Sequence, residues 1–172
     1  MNNSILPPQQ LLHDLLFYDG KTGDFYWRTS PKYNIPAGTK AGCSRANGYV
    51  FIGIRGYRQI GAHRLAWVYN HGEIPDGYEI DHINCDPSDN RMINLRLATS
   101  SQQKQNKRVQ SNSRSGLKGA YYHACHKGKK WRSQIKVDGR YIFLGYYHTA
   151  EEAHEAYKAA SVHYYGEFAR AA

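Results

Sequence analysis

Cysteine is scarce in this chain. Cys43, Cys85 and Cys125 stand far apart in 172 residues, and no Cys-x-x-Cys pair occurs. An odd, scattered set excludes a disulfide framework and a structural zinc site. Long apolar runs are missing too, which excludes a membrane-spanning helix and a membrane partner. The Met1-Asn2-Asn3-Ser4 start has neither a basic n-region nor an apolar h-region, so a cytoplasmic protein is expected. The last absence is of acid. From Asn90 to Val137 there are twelve Lys/Arg and no Asp or Glu. Residues 1–97 carry ten basic and nine acidic side chains, whereas residues 98–172 carry thirteen and five. Solvated surfaces usually mix both signs, and a one-signed field attracts polyanions. The 15 tyrosines, several among these basic residues, suit contact with a sugar-phosphate chain.

The length suffices for one ordinary domain or two small ones. Pro7-Pro8 precedes Leu11, Leu12, Leu15 and Leu16, which fall on one face of a short helix. Turns at Asp19-Gly20 and Thr22-Gly23 lead to a strand-like Phe25-Tyr26-Trp27, and the Pro/Gly-rich stretch up to Ala46 reads as loop. Gly48 to Ile60 reads as a hairpin turning at Arg55-Gly56, with Val50, Ile52 and Ile54 alternating. Leu65, Ala66, Val68 and Tyr69 fit a helix ending near Gly72. Tyr78 to His82 is a short strand, Cys85 to Arg91 a polar loop. A helix begins at Thr99, where Thr99 and Gln102 have the capping-box form. Residues 107–114 open a polar, basic stretch that cannot bury a core. Beyond it come three strand candidates, 119–124, 130–137 and 140–146, with Asp138-Gly139 as a hairpin turn. A final helix starts at a second capping box, Thr149 to Glu152, and Ala153, Ala156, Tyr157, Ala160 and Tyr164 share a face.

Cutting a phosphodiester requires a group that deprotonates water and a group that polarises the phosphate. Asp81-His82 supplies a carboxylate for a hard divalent cation and an imidazole side by side. On a strand, however, neighbours point to opposite faces. Amide side chains follow in number: Asn84, Asn90, Asn94, Gln103 and Asn106. Gln103 and Asn106 share a helix face.

The blocks Ala62-His63-Arg64-Leu65-Ala66-Trp67, Ile80-Asp81-His82-Ile83-Asn84 and Asp89 to Thr99 resemble the HNH endonucleases of bacteriophages, including homing endonucleases. The resemblance implies a ββα-metal module over residues 62–106. It makes Asp81 a metal ligand and His82 the general base, with Asn94 fixing the loop and orienting that base. The family's helix ligand, a His or Asn, falls on Gln103. Either Gln103 or Asn106, one turn later, would complete the metal site. The implied ion is Mg²⁺, with Mn²⁺ as the alternative. Where the family often has Gly, this chain has Cys85.

Residues 115–172 resemble an AP2/ERF domain, a three-stranded antiparallel sheet backed by one helix. The matching blocks are Ser115 to Tyr121, Lys130 to Ile135, Phe143 to Tyr147, and Thr149 to Ala153 with Ala156-Tyr157. The resemblance implies a sheet set into the DNA major groove. Alternation places Trp131, Ile135 and Val137 towards the helix, and Lys130, Arg132, Gln134 and Lys136 outward. Tyr121, His123, Tyr141 and Phe143 join the outward face, and Arg140 opens the third strand. Lys104, Lys107, Arg108, Arg114 and Lys118 could track a phosphate backbone.

The expectation is an α+β protein in four parts. Residues 1–61 form an accessory region, 62–106 the HNH module, 107–114 a basic linker and 115–172 the AP2-like binder. The expected function is metal-dependent hydrolysis of double-stranded DNA by a phage-encoded protein acting in the host cell. Two alternatives stay open: a non-enzymatic DNA-binding regulator with a degenerate HNH module, and an RNA-binding protein. Oligomeric state and target sequence are not legible.

Overall fold

The computed structural model describes residues 5–32, 34–105, 109 and 113–169. The chain divides into two compact units between Thr99 and Ser100. Of the linker expected at 107–114, all but Val109, Ser113 and Arg114 lie outside the described residues.

The first unit opens with α1 (Gln9–Leu15) and then β1 (Leu16–Asp19), paired antiparallel with β2 (Asp24–Trp27). The helix expected to include Leu16 stops one residue short. Leu16 turns extended, with φ −127° and ψ 151°, and is fully buried from a strand instead. The stretch read as loop up to Ala46 contains two short strands. These are β3 (Lys40–Ala41), which joins β2, and β4 (Cys43–Ser44), which joins β5 (Val50–Ile52). β3 reaches back to Phe25 and Tyr26, beyond any local pattern, whereas β4 and β5 form a short hairpin across Asn47-Gly48 that the loop reading passed over. Gly42 between them, at φ +99°, has no room for a side chain: a Cβ would meet the Ile52 side chain at 2.9 Å.

The hairpin expected over 48–60 is shorter than its alternation suggested. β5 pairs with β6 (Ile60–Gly61), and Ile54 is buried without belonging to a strand. α2 (Ala62–His71) follows at once and buries Ala62, Leu65, Ala66 and Val68, a stripe at helical spacing. β7 (Tyr78–His82) pairs antiparallel with β8 (Leu95–Thr99), a strand that the sequence pattern had not marked. One core unites the unit, with Leu12, Leu16, Phe25, Ile52 and Leu65 almost wholly buried and Ile80 and Leu95 beside them. Each such side chain contributes about 1.5–3 kcal/mol of burial.

The second unit begins with α3 (Ser100–Gln105). Its sheet has the order β11-β10-β9, made of β9 (Ala120–Tyr122), β10 (Trp131–Val137) and β11 (Arg140–Tyr147). α4 (Ala150–Tyr165) is capped by Thr149, whose hydroxyl accepts from the Glu152 amide at 3.1 Å. Its buried stripe is rotated from the expected one. Ala150, Ala153, His154, Tyr157 and Ser161 are buried, Ala156 and Ala160 only half-buried, and Tyr164 is 43% exposed. His154 is tolerated inside because its Nδ1 meets the Lys118 carbonyl at 2.8 Å. Among the described residues no helix is long and apolar enough to cross a membrane.

Candidate functional site

β7 delivers Asp81 and His82 on opposite sides of the strand, as its pleat requires. Ile80 and His82 are buried, while Asp81 turns the other way. Asp81 lies opposite Arg96 of β8, whose Nε and Nη2 donate to Asp81 Oδ2 at 3.1 and 3.0 Å. Both side chains are largely shielded, at 14% and 13% exposure. His82 is 5% exposed. Its Nε2 lies 3.4 Å from Asn90 Oδ1. An amide oxygen only accepts, so this contact keeps a hydrogen on Nε2 and leaves the lone pair of the neutral ring on Nδ1. Burial holds the His82 pKa below the usual histidine value, with Asn90 and Asp81 opposing.

The loop between β7 and β8 is built by amide and carboxylate side chains. Asn94, 6% exposed, spans it: its Oδ1 accepts from the Asn84 amide at 2.9 Å and its Nδ2 donates to the Asp89 carbonyl at 2.8 Å. Both polar atoms of Asn94 are thus spent within the loop, and neither reaches His82 in these contacts. Asp89 receives a fork from Arg91, Nε and Nη2 each at 2.7 Å, and a third bond from Asn84 Nδ2 at 3.0 Å. The Arg91 fork is the main reason its carboxyl drops to about 2. Cys85 sits in the left-handed region at φ 58°, in the turn closed by its own amide onto the His82 carbonyl.

Three residues near His82 carried no role in the sequence reading. Asn90 is 2% exposed, and its carbonyl accepts from the Tyr18 hydroxyl at 2.8 Å. His63 sets its ring against His82 with centroids 5.1 Å apart, and Tyr49 approaches both rings, at 5.4 and 5.8 Å. His63 Nδ1 is buried with no hydrogen-bond partner, and burial lowers its pKa to about 3. His63 and Asn90 lie inside motif blocks already singled out. Tyr49 and Tyr18 carried no local signal.

Gln103 stands half-buried on α3, in the second unit. Asn106 lies outside the described residues, as do Lys107 and Arg108, and so does the Lys104 side chain. No cluster of three His, Cys, Asp or Glu able to hold a metal occurs among the described residues. A carboxylate with a carboxamide oxygen and retained waters is nevertheless an oxygen donor set that suits a hard divalent cation. An ion at Asp81 would have to share that carboxylate with Arg96.

The sheet of the second unit presents a separate surface. Ser133 and Ile135 turn inward, and Trp131 packs against Ala120, Ala150 and Ala153. Arg132, Gln134 and Lys136 alternate with them and form an outward column. Tyr121, Tyr141 and Phe143 are 50%, 62% and 51% exposed, and Lys130 and Arg140 are exposed at strand ends. The register steps from Ser133 opposite Gly145 to Gln134 opposite Phe143, so Leu144 is an extra residue in β11. That bulge reverses the alternation. Tyr146, which simple period-2 counting leaves inward, contacts Phe143 at 5.1 Å and His123 at 5.5 Å and stacks on His126 at 3.9 Å. Arg132 lies over Phe143 at 5.5 Å, Lys136 over Tyr141 at 5.2 Å and Arg114 over Tyr122 at 3.8 Å. Lys118 contributes its carbonyl to His154. The three strands contain no Asp or Glu.

The sequence model of one family, described as HNH endonuclease, matches residues 61–105, from the end of β6 through α3. Protein 3.8 of Escherichia phage T7 is 32% identical over 84 residues, covering 49% of this chain and 68% of that protein. A solved structure of DNA binding and cleavage by the HNH homing endonuclease I-HmuI aligns with 23% identity and a TM-score of 0.43. It covers 54% of this chain and 51% of that one, so the match spans about half of that enzyme's length.

Proposed function

We propose that this chain, which belongs to the HNH endonuclease family, hydrolyses phosphodiester bonds in double-stranded DNA with a divalent metal ion, and that its second unit, an AP2/ERF-like domain, holds the duplex. The observation that carries the nuclease reading is His82. It is a buried, neutral imidazole with its lone pair on Nδ1, next in sequence to a carboxylate and inside the residues matched by the family. Its part is to take a proton from the attacking water. Asp81, with the Gln103 or Asn106 carbonyl oxygen, would hold Mg²⁺ or Mn²⁺. When bound, that ion polarises the scissile phosphate and stabilises the leaving oxygen. Asn94 holds the loop that carries the base, and Asn90 sets the tautomer of His82.

The acid-free outward face of the second unit supports DNA holding, because cations and aromatic rings without carboxylates fit a polyanion of planar bases. A phage-encoded enzyme acting in the host cytoplasm agrees with the relative from phage T7. The test is plasmid nicking in Mg²⁺ against EDTA, with His82→Ala beside the parent. Metal-dependent nicking lost in the variant while duplex affinity persists is the expected result. Equal cutting by both would remove His82 from the mechanism.

Two observations favour a second reading, a DNA-binding regulator with an inactive HNH module. Arg96 already neutralises Asp81 at 3.0 Å, and the helix position is Gln rather than His or Asn. No nicking in Mg²⁺ or Mn²⁺, with duplex binding intact, would select it.

A further inference from the structure

We propose that the cross-strand pair Gln134 and Phe143 reads one A·T base pair in the major groove, the Gln134 amide on adenine and the Phe143 ring on the thymine methyl. This rests on the reading that the sheet of the second unit holds duplex DNA. The two residues are direct partners in the β10–β11 register, on the outward face, where opposite side chains stand about 5 Å apart at Cβ. No hydrogen bond within the described residues engages the Gln134 amide. Phe143 is 51% exposed, an unusual state for a phenylalanine on a face without acids. Arg132 and Lys136, the outward neighbours of Gln134 along β10, flank the pair with positive charge.

The chemistry of base edges selects the ligand. In the major groove adenine shows an acceptor, N7, beside a donor, N6, and a carboxamide matches both at once. Thymine, across the same base pair, shows its C5 methyl, which an exposed phenyl ring shields from water. A G·C pair lacks the methyl, and guanine puts the acceptor O6 where adenine has its N6 donor, so with the Gln134 amide donating to N7 its carbonyl oxygen would face O6 unpaired. Tyr141 and Tyr146 bracket Phe143 on β11, so the apolar column lies on one strand and the hydrogen-bonding column on the next.

The test measures binding of the full chain in EDTA to four duplexes of one length. One holds A·T pairs only, a second replaces thymine by uracil, a third replaces adenine by 7-deazaadenine, and a fourth holds G·C pairs only. The G·C duplex should bind about tenfold or more weaker. Loss of one buried methyl should weaken the uracil duplex about fourfold. Phe143→Ala should erase the thymine–uracil difference alone, and Gln134→Ala the adenine–deazaadenine difference alone. Equal binding of all four by the parent overturns the proposal. Arg132→Ala combined with Lys136→Ala separates that failure from the failure of its premise. If this variant loses affinity while the parent shows no base preference, the sheet holds DNA but the pair does not read it. If its affinity is unchanged, the sheet does not hold DNA at all.

Discussion

The imidazole of His63 packs against that of His82 with ring centroids 5.1 Å apart and planes at 62°. Gly61 makes this approach possible: a Cβ there would stand 2.5 Å from His63 Cε1. His63 Nδ1 has no partner to lose, so replacement by an apolar residue of similar volume need not cost stability. His63→Leu should therefore unfold at the parent's urea midpoint or above it. Its nicking rate should fall about 10- to 100-fold at unchanged duplex affinity, because His82, the base of the proposed reaction, loses its brace. Gly61→Ala, which pushes the ring away, should give the same kinetic loss. A fully active His63→Leu would show that the ring is filler.

In the proposed reading Gln103 takes the helix-ligand position, with a side chain one methylene longer than Asn. Gln103→Asn should keep or raise the Mg²⁺-dependent nicking rate. Gln103→Ala should lower it by orders of magnitude, as when a group that positions a metal is lost. The opposite ranking, with Asn106→Ala inactive and Gln103→Ala active, would assign the ligand to Asn106 instead.

Cys85 holds φ 58°, a conformation costing a non-glycine residue about 1–2 kcal/mol. Cys85→Gly removes that cost but adds backbone freedom to the unfolded chain. Thermal unfolding should show the variant equal to the parent or more stable by up to about 1 kcal/mol. Cys85→Val, β-branched at the same φ, should be destabilised by about 1–2 kcal/mol. A Gly variant clearly less stable than the parent would refute the strain.

Asp89 is held near a pKa of about 2, against an ordinary 3.8, by the Arg91 fork first and by Asn84. A depressed carboxylate stabilises the fold above its unfolded pKa, and that stabilisation is lost as pH falls through the folded one. Urea midpoints of the parent and Asp89→Asn should differ most above about pH 4 and converge towards pH 2. A gap that stayed constant across this window would show that charge at Asp89 does not matter.

Gly119 lies at φ +77°, and a Cβ there would fall inside the Tyr157 ring of α4. Gly119→Ala combines left-handed strain with overpacking and should cost roughly 2–4 kcal/mol. Near-ultraviolet circular dichroism of its tyrosines and the melting temperature should both report it. An unchanged melting temperature would contradict this packing.

Local signals sufficed for α2, β7, the Asp138-Gly139 hairpin and the Thr149 cap, because helical spacing, a turn dipeptide and a capping pair act between near neighbours. The same holds for the Asp81-His82 pair and the acid-free run, which point to a chemistry and to a polyanionic partner without any fold. Other features needed the assembled structure. The strand β3 exists only through its distant partner β2, and α4 turned a different stripe inward, where the Lys118 carbonyl receives His154. Tyr146 joined the outward face through a bulge that period-2 counting cannot see. At the site, residue types were readable but contacts were not. Asn90 rather than Asn94 meets His82, Arg96 meets Asp81, and His63 and Tyr49 close around the His82 ring. Sequence patterns report which faces are apolar and which chemistries are present. Pairing across 12 or more residues depends on the geometry of the folded backbone, and that was decided only when β7, β8, α2 and β5 packed on one core.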